Sequence, residues 1–286
     1  MAISQVDVSV AHRAFARVGE GPFWDAASHR LSWVDILAGA VTSVGADGRR
    51  TEVTLPCTVG AAIPKESGGY IAATATGFAE ITERTTVVDR VSMLPAGQRM
   101  NDAGCDPAGR LWAGSTELRF KEGHGAVHVV DEKWRVRTVL TDLTLPNGLG
   151  WSTDGRTFYL IDSIAAEVNA FNVADDGFGL RDRRVLARLD GEGLPDGMTV
   201  DASGSLWIAM WGGNRLIRLS PGGDILRQVE LPVAQPSSCA FGGPELDVLY
   251  VTTAREGLET TGEADGSILA VRGLNVRGRP GRRFAG

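Results

Sequence analysis

The chain reads as an all-β protein, a six-bladed β-propeller, and three observations predict this. Short alternating or apolar runs dominate, among them RLSWVDI, AVHVVD, RVRTVL, TFYLID, SLWIAM, RLIRLS and LDVLYVTT. Runs of this length and period are strand signals, and Gly, Pro, Asp and Ser bound them. Gly is frequent, at 37 residues, while long helical periodicity is absent. Finally, one unit recurs along the whole chain: a short apolar strand, a polar Gly-containing turn, then a strand carrying an aromatic or branched anchor.

Taken in order, the units are GPFWDAASHRLSWVDI, a weaker GAAIPKESGGYIAAT, NDAGCDPAGRLWAGS, NGLGWSTDGRTFYLIDS, DGMTVDASGSLWIAM and SCAFGGPELDVLYVTT. Their anchors are Trp33, Ile71, Trp112, Tyr159, Trp207 and Tyr250, spaced by roughly 40 to 48 residues, as four-stranded propeller blades require. The fifth unit can be followed through all four strands. GMTVD, SLWIAM, NRLIRLS and DILRQVELP are separated by ASG, WGG and PGG turns, whose residues supply tight hairpin geometry. The N-terminal segment around Val6 to Val10 is expected to close the ring against C-terminal strands, leaving no long edge. No linker divides the chain, so residues 1–286 are expected to be one domain. Trp24, Trp33, Trp112, Trp151 and Trp207 fall on repeat strands and read as blade packing. Trp134 reads as a further strand residue, and Trp211 as part of a turn.

Composition narrows the function. A formal charge of −6 and a pI near 5.3 argue against a nucleic-acid partner. The locally basic tail VRGRPGRRF is expected to be a solvated end. Cys57, Cys105 and Cys239 lie far apart with no CxxC pair, which fits neither a disulfide framework nor a zinc knuckle and suits a reducing compartment. The start, MAISQVDVSVAHRAF, lacks a signal-peptide pattern, and no apolar run approaches the ~18 residues of a membrane span. A soluble cytoplasmic protein is therefore expected. There is no GxSxG elbow, P-loop or HExxH. Of the four histidines, His124 and His128 could share a strand face, but ordinary hydrogen-bonded roles are the better reading.

The repeats also align a set of polar residues. About eleven to thirteen positions before each anchor stand Glu20, Gly60, Asn101, Asn147, Asp196 and Ser238. In a propeller the first strand of each blade lines the central channel, so its entrance residues converge near the axis. Glu20, Asn101, Asn147 and Asp196 would then offer carboxylate and amide oxygens, which suit a hard divalent cation. An Asp or Asn before Gly is also ordinary turn chemistry. The shared phase favours a site, and Glu20 has little turn preference.

At these residues the sequence resembles a known family. GEGPFWD, RMNDAGCDPAGRLWAGS, LPNGLGWSTDGRTFYLIDS, LPDGMTVDASGSLWIAM and SSCAFGGPELDVLYVTTAREG resemble the SMP-30/gluconolactonase/LRE family, with the motifs in family order from about Glu20 to the C-terminal FAG. The resemblance implies a six-bladed propeller with one divalent metal in the channel. It implies metal ligands at Glu20, Asn147 and Asp196, and lactone-binding groups at Arg99 and Asn101. Glu117 is a weaker match to a family glutamate. The implied reaction is hydrolysis of an aldonolactone to the open acid, with Asp196 carrying the proton and Asp102 as an alternative base. The expected partner is a small sugar lactone, with no nucleic acid and no membrane. Which lactone, whether the metal is Ca²⁺, Zn²⁺, Mn²⁺ or Fe²⁺, and the oligomeric state are left open. The alternatives are a non-catalytic calcium-binding regulator, a hydrolase of other esters such as phosphotriesters, and a propeller interaction module without metal.

Overall fold

A computed structural model describes residues 6–286 and places twenty-four strands in six four-stranded antiparallel sheets. Residues Met1 to Gln5, part of the start read above for a leader, lie outside the described residues. The six innermost strands are Gly19–Asp25, Val59–Pro64, Gln98–Cys105, Pro146–Trp151, Leu194–Val200 and Pro236–Gly242. Each opens its blade, and each packs on the next until the sixth returns to the first. The weak second unit is a full blade, running from Val59 to Ser92. Among the described residues no helix is long and apolar enough to cross a membrane.

Ring closure follows the sequence expectation. Strand Asp7–His12 pairs antiparallel with Ile268–Arg272 and becomes the outermost strand of blade six. First and last segments thus complete one sheet, and His12 stacks on Trp33 of blade one, ring centroids 5.7 Å apart.

The core lies between blades. Trp112 packs with Leu149 and Phe158 across blades three and four, and Trp207 with Phe241 and Leu249 across blades five and six. Four further apolar clusters fill the remaining blade interfaces. Fully burying one such side chain is worth about 1.5–3 kcal/mol, so the repeated anchors hold the ring together. The Trp112 and Trp207 ring N–H groups are satisfied within the same unit. Trp112 Nε1 donates to Asp106 Oδ2 at 3.0 Å and Trp207 Nε1 to Asp201 Oδ2 at 3.1 Å, each Asp sitting in the turn before its Trp strand.

Three readings need correction. Trp211 is not part of a turn; it is the last residue of strand Leu206–Trp211, paired opposite Leu194, because the inner strand of its blade already begins at Leu194. Trp134 is not on a strand; it occupies the turn after Gly125–Val130 with φ of 61° and lies edge-on to Phe284. The basic tail is not a solvated end. Residues 273–286 run across the face where the inner strands finish, Phe284 is fully buried, and Arg283 pairs with Asp25. Apolar Leu274 and Phe284 anchor the tail, and its arginines masked that in the composition.

Candidate functional site

Each inner strand carries one extra residue at the same point in its ladder. The register slips between Glu20 and Phe23, Val59 and Ala61, Met100 and Ala103, Pro146 and Leu149, Pro195 and Met198, and Pro236 and Ser238. A bulge leaves residues unpaired and re-aims their side chains. Here the bulges include or directly follow the residues singled out by repeat phase, which turns a sequence coincidence into shared geometry. Close approach of neighbouring strands at this level needs glycine. A Cβ on Gly148 would stand 2.6 Å from Asp196 O, and one on Gly197 would stand 2.1 Å from Ser238 Oγ.

Glu20, Asn101, Asp102, Asn147 and Asp196 are all buried. Burial pushes the Glu20 carboxyl well above its usual range, and the charges of Asp196 and Asp102 push it further. Asp196 is driven up the same way, by burial and then by Asp102. Asp102, whose Oδ1 accepts from Ala103 N at 2.7 Å, is raised to about 6 by burial. Arg99 is the positive charge acting on Glu20 and Asp196 in return. The structure thus brings together three mutually repelling carboxylates and a single guanidinium.

The two asparagines of this ring differ in what their amides lack. Asn101 is occupied at both ends: Oδ1 accepts from Arg99 Nη1 at 2.7 Å, and Nδ2 donates to Pro146 O at 3.1 Å. Asn147 lies against Asp196, and its Nδ2 donates to Ser163 Oγ at 3.0 Å. Its Oδ1 is buried with no partner. A buried acceptor without a donor is costly, so Asn147, not Asn101, has an oxygen to offer a cation. Ser163 was missed by sequence reasoning. Its position just past the second strand of blade four carries no repeat phase, and only the paired structure brings it under Asn147.

Arg99 and Glu117 lie at the same mouth, Arg99 opposite Thr116 and Glu117 opposite Gln98. Glu117 Oε2 accepts from Arg119 N at 2.7 Å and Lys121 N at 3.3 Å, so half of its carboxylate is held by its own loop. His124 and His128 form no metal pair. His128 is buried between Ser115 Oγ at 2.8 Å and Thr138 Oγ1 at 3.0 Å, away from this ring. Among the described residues no three His, Cys, Asp or Glu side chains form a ready-made metal cluster. The oxygen set here is two carboxylates and an amide.

Residues 18–255 match the SMP-30/Gluconolactonase/LRE-like region. The chain belongs to this family. It is 35% identical to regucalcin of Sus scrofa over 99% of this chain and 100% of that one. It is also similar to a solved luciferin-regenerating enzyme, with a TM-score of 0.92, 27% identity, and 98% and 100% of the two chains covered. A solved regucalcin of Agrobacterium tumefaciens, described as a calcium-binding protein, gives a TM-score of 0.88 at 27% identity, over 96% and 97%. As a family member, the chain carries its acids and amides in the motifs that matched by sequence, on one end of a propeller channel.

Proposed function

We propose that the chain is a metal-dependent hydrolase that opens a sugar lactone to the aldonic acid. The observation that carries this reading is the buried, unpartnered Oδ1 of Asn147, a residue whose amide lies against the Asp196 carboxylate, with Glu20 close enough to feel Asp196's charge. A divalent cation supplies what that oxygen lacks and offsets the repulsion that drives Glu20 and Asp196 up. The residues therefore fit the metal that the family implies. Glu20, Asn147 and Asp196 would hold it, and an all-oxygen set is compatible with Ca²⁺, Mn²⁺, Zn²⁺ or Fe²⁺.

When bound, such an ion polarises an ester carbonyl and acidifies water. The chain's own groups do the rest. Arg99 donates hydrogen bonds to the lactone and hydroxyl oxygens, and Asn101 Oδ1 steadies that guanidinium at 2.7 Å. Asp196 accepts the proton of the attacking water and returns one to the ring oxygen as the ring opens. Glu117 keeps one carboxylate oxygen free at the mouth for a sugar hydroxyl.

The test is turnover of hexono- and pentonolactones by metal-stripped protein resupplied with each divalent ion. Hydrolysis restored by one or more ions is expected. Asp196→Ala should lose turnover at saturating metal, and Arg99→Ala should lose mainly apparent substrate affinity. Lactone turnover persisting in Asp196→Ala would remove Asp196 from the mechanism. A second reading, a calcium-binding protein without catalysis, is favoured by the similarity to the Agrobacterium regucalcin. The same matrix separates the two, because calcium binding with no lactone opened at any ion selects the second.

A further inference from the structure

The channel has a second mouth, at the opposite ends of the inner strands. Beneath Asp102 lies a cavity of ≈ 520 Å³, within the size range of small-molecule sites. Its walls include Phe23, Trp24, Leu149, Trp151, Met198 and Phe241. The aromatic walls are held in place: Trp24 stacks on Tyr250 with centroids 6.0 Å apart, and Trp151 meets Trp112 edge-on at 5.7 Å. The site discussed above sits at the start of these strands. The cavity begins directly beneath it, at Gly21, Asp102 and Ser238, and runs to their far ends, about 3.3 Å per residue.

The C-terminal tail crosses this mouth as a strap. One end is fixed by Gly278 N to Leu246 O at 2.7 Å and by the Arg277–Glu245 ion pair at 3.2 Å. The other is fixed by Arg283 on Asp25, Phe284 N to Pro64 O at 2.9 Å and Ala285 N to Gly109 O at 2.9 Å. Between these anchors Arg279, Pro280, Gly281 and Arg282 line the cavity and are exposed. Arg277 and Arg283 have carboxylate partners; Arg279 and Arg282 have no ion pair among the described residues. The backbone N–H groups of Gly281 and Arg282 likewise have no backbone acceptor. Of the cavity's two acids, Asp102 is at its deep end, while Asp154 is in the exposed turn after strand Pro146–Trp151, its Oδ1 taken by Ser152 Oγ and Arg156 N. The strap therefore carries two unpaired guanidinium groups beside a chamber of mixed aromatic and polar walls whose deep end is acidic.

We propose that this cavity is a second ligand site, for a small organic anion with an apolar body. The acid group sits between Arg279 and Arg282, and the body lies inward against Trp24 and Trp151. The reverse orientation would set the acid against Asp102. Two features select the ligand class together: guanidinium groups recognise the acid, and the Trp24 and Trp151 faces offer an apolar body a surface, beside polar Thr199 and Ser238.

The test is a fluorescence titration of the full chain with 8-anilinonaphthalene-1-sulfonate, then displacement by decanoate, decan-1-ol or acetate. One saturable equivalent is expected, displaced by decanoate at least about tenfold better than by either partial analogue. Arg279→Ala/Arg282→Ala should weaken the probe by about tenfold or more with an unchanged Tm, since both side chains are exposed and unpaired. Arg277→Ala removes a strap charge outside the cavity and should leave binding as it was. Unsaturable binding would overturn the proposal. So would wild-type affinity in the double variant, equal displacement by decan-1-ol, or an equal loss in Arg277→Ala.

Discussion

At the scale of single residues, the site turns on which polar atoms are left without a partner. Asn101 and Asn147 share a repeat phase, yet only Asn147 keeps a free buried oxygen, because Ser163 takes its amide nitrogen. Ser163, itself buried, acts as a positioning residue, holding the amide nitrogen so that Oδ1 is left free. Such partners of a ligand typically contribute 10–100-fold to metal affinity. Ser163→Ala should weaken calorimetric metal binding by about that factor, while Ser163→Thr, which keeps the hydroxyl, should bind nearly as the parent does. Equal affinity in Ser163→Ala would mean that the Asn147 amide is oriented by something else. His128 makes a prediction about pH. Burial holds its imidazole down at about 4, against an ordinary 6.5. Above pH 6.5 the ring is neutral whether the chain is folded or not, and its contribution to stability is fully present. As pH falls from 6.5 toward about 4, the unfolded chain takes up a proton that the folded one resists. The His128 contribution then drops by about 3 kcal/mol and levels off below, while Asp102, raised to about 6, acts in the opposite sense. Denaturant titrations of the parent and of His128→Gln should therefore diverge between those pH values, the parent losing about 3 kcal/mol relative to the variant on going from pH 6.5 to about 4.

At the scale of elements, the bulge is the device that makes a site out of a repeat. Six strands that paired without interruption would keep these positions in their ladders; one extra residue in each re-aims the side chains at a common level. The strands can come this close only where no Cβ intervenes. At Gly148 a methyl would meet the Asp196 carbonyl at 2.6 Å and Met198 N at 2.7 Å, both backbone. At Gly150, two residues along the same strand, it would meet the Val200 methyl at 3.1 Å and the tip of Met198 at 3.8 Å. Gly148→Ala should therefore cost about 1–3 kcal/mol and shift the Asp196 strand, lowering metal affinity as well as Tm. Gly150→Ala should be milder in both, since side chains can move where backbone cannot. Equal effects of the two substitutions would refute the close-approach argument. The phase of Glu20, Asn147 and Asp196 was legible because strand, turn and anchor are local features repeated in order. The bulges were not, because register belongs to two strands at once. Ser163 was hidden for the same reason, and so was the occupied state of Asn101, which depends on Arg99 and on Pro146 of the next blade.

At the scale of the molecule, the blade count and the closure by the N-terminal segment could be read from the chain, whereas the burial of its basic tail could not. Phe284 is one apolar residue among arginines, and its pocket is built from blades two and three together with Phe23 of blade one. Closure makes the last prediction. Strand Asp7–His12 covers Ile268–Arg272, which would otherwise present an unpaired edge to solvent. Val8 packs against the apolar cluster between blades five and six, and His12 stacks on Trp33 of blade one. One short segment thus ties the last blade to the first, through backbone pairing on one side and an aromatic contact on the other. Deleting residues 1–12 should lower Tm and expose an edge that recruits further copies, since unpaired edges template pairing. Light scattering should then rise with protein concentration. A synthetic peptide of residues 2–13, added in excess, should restore both Tm and monodispersity by adding back the missing strand. A deletion protein that stayed monodisperse at the parental Tm would show that the contacts between inner strands close the ring unaided.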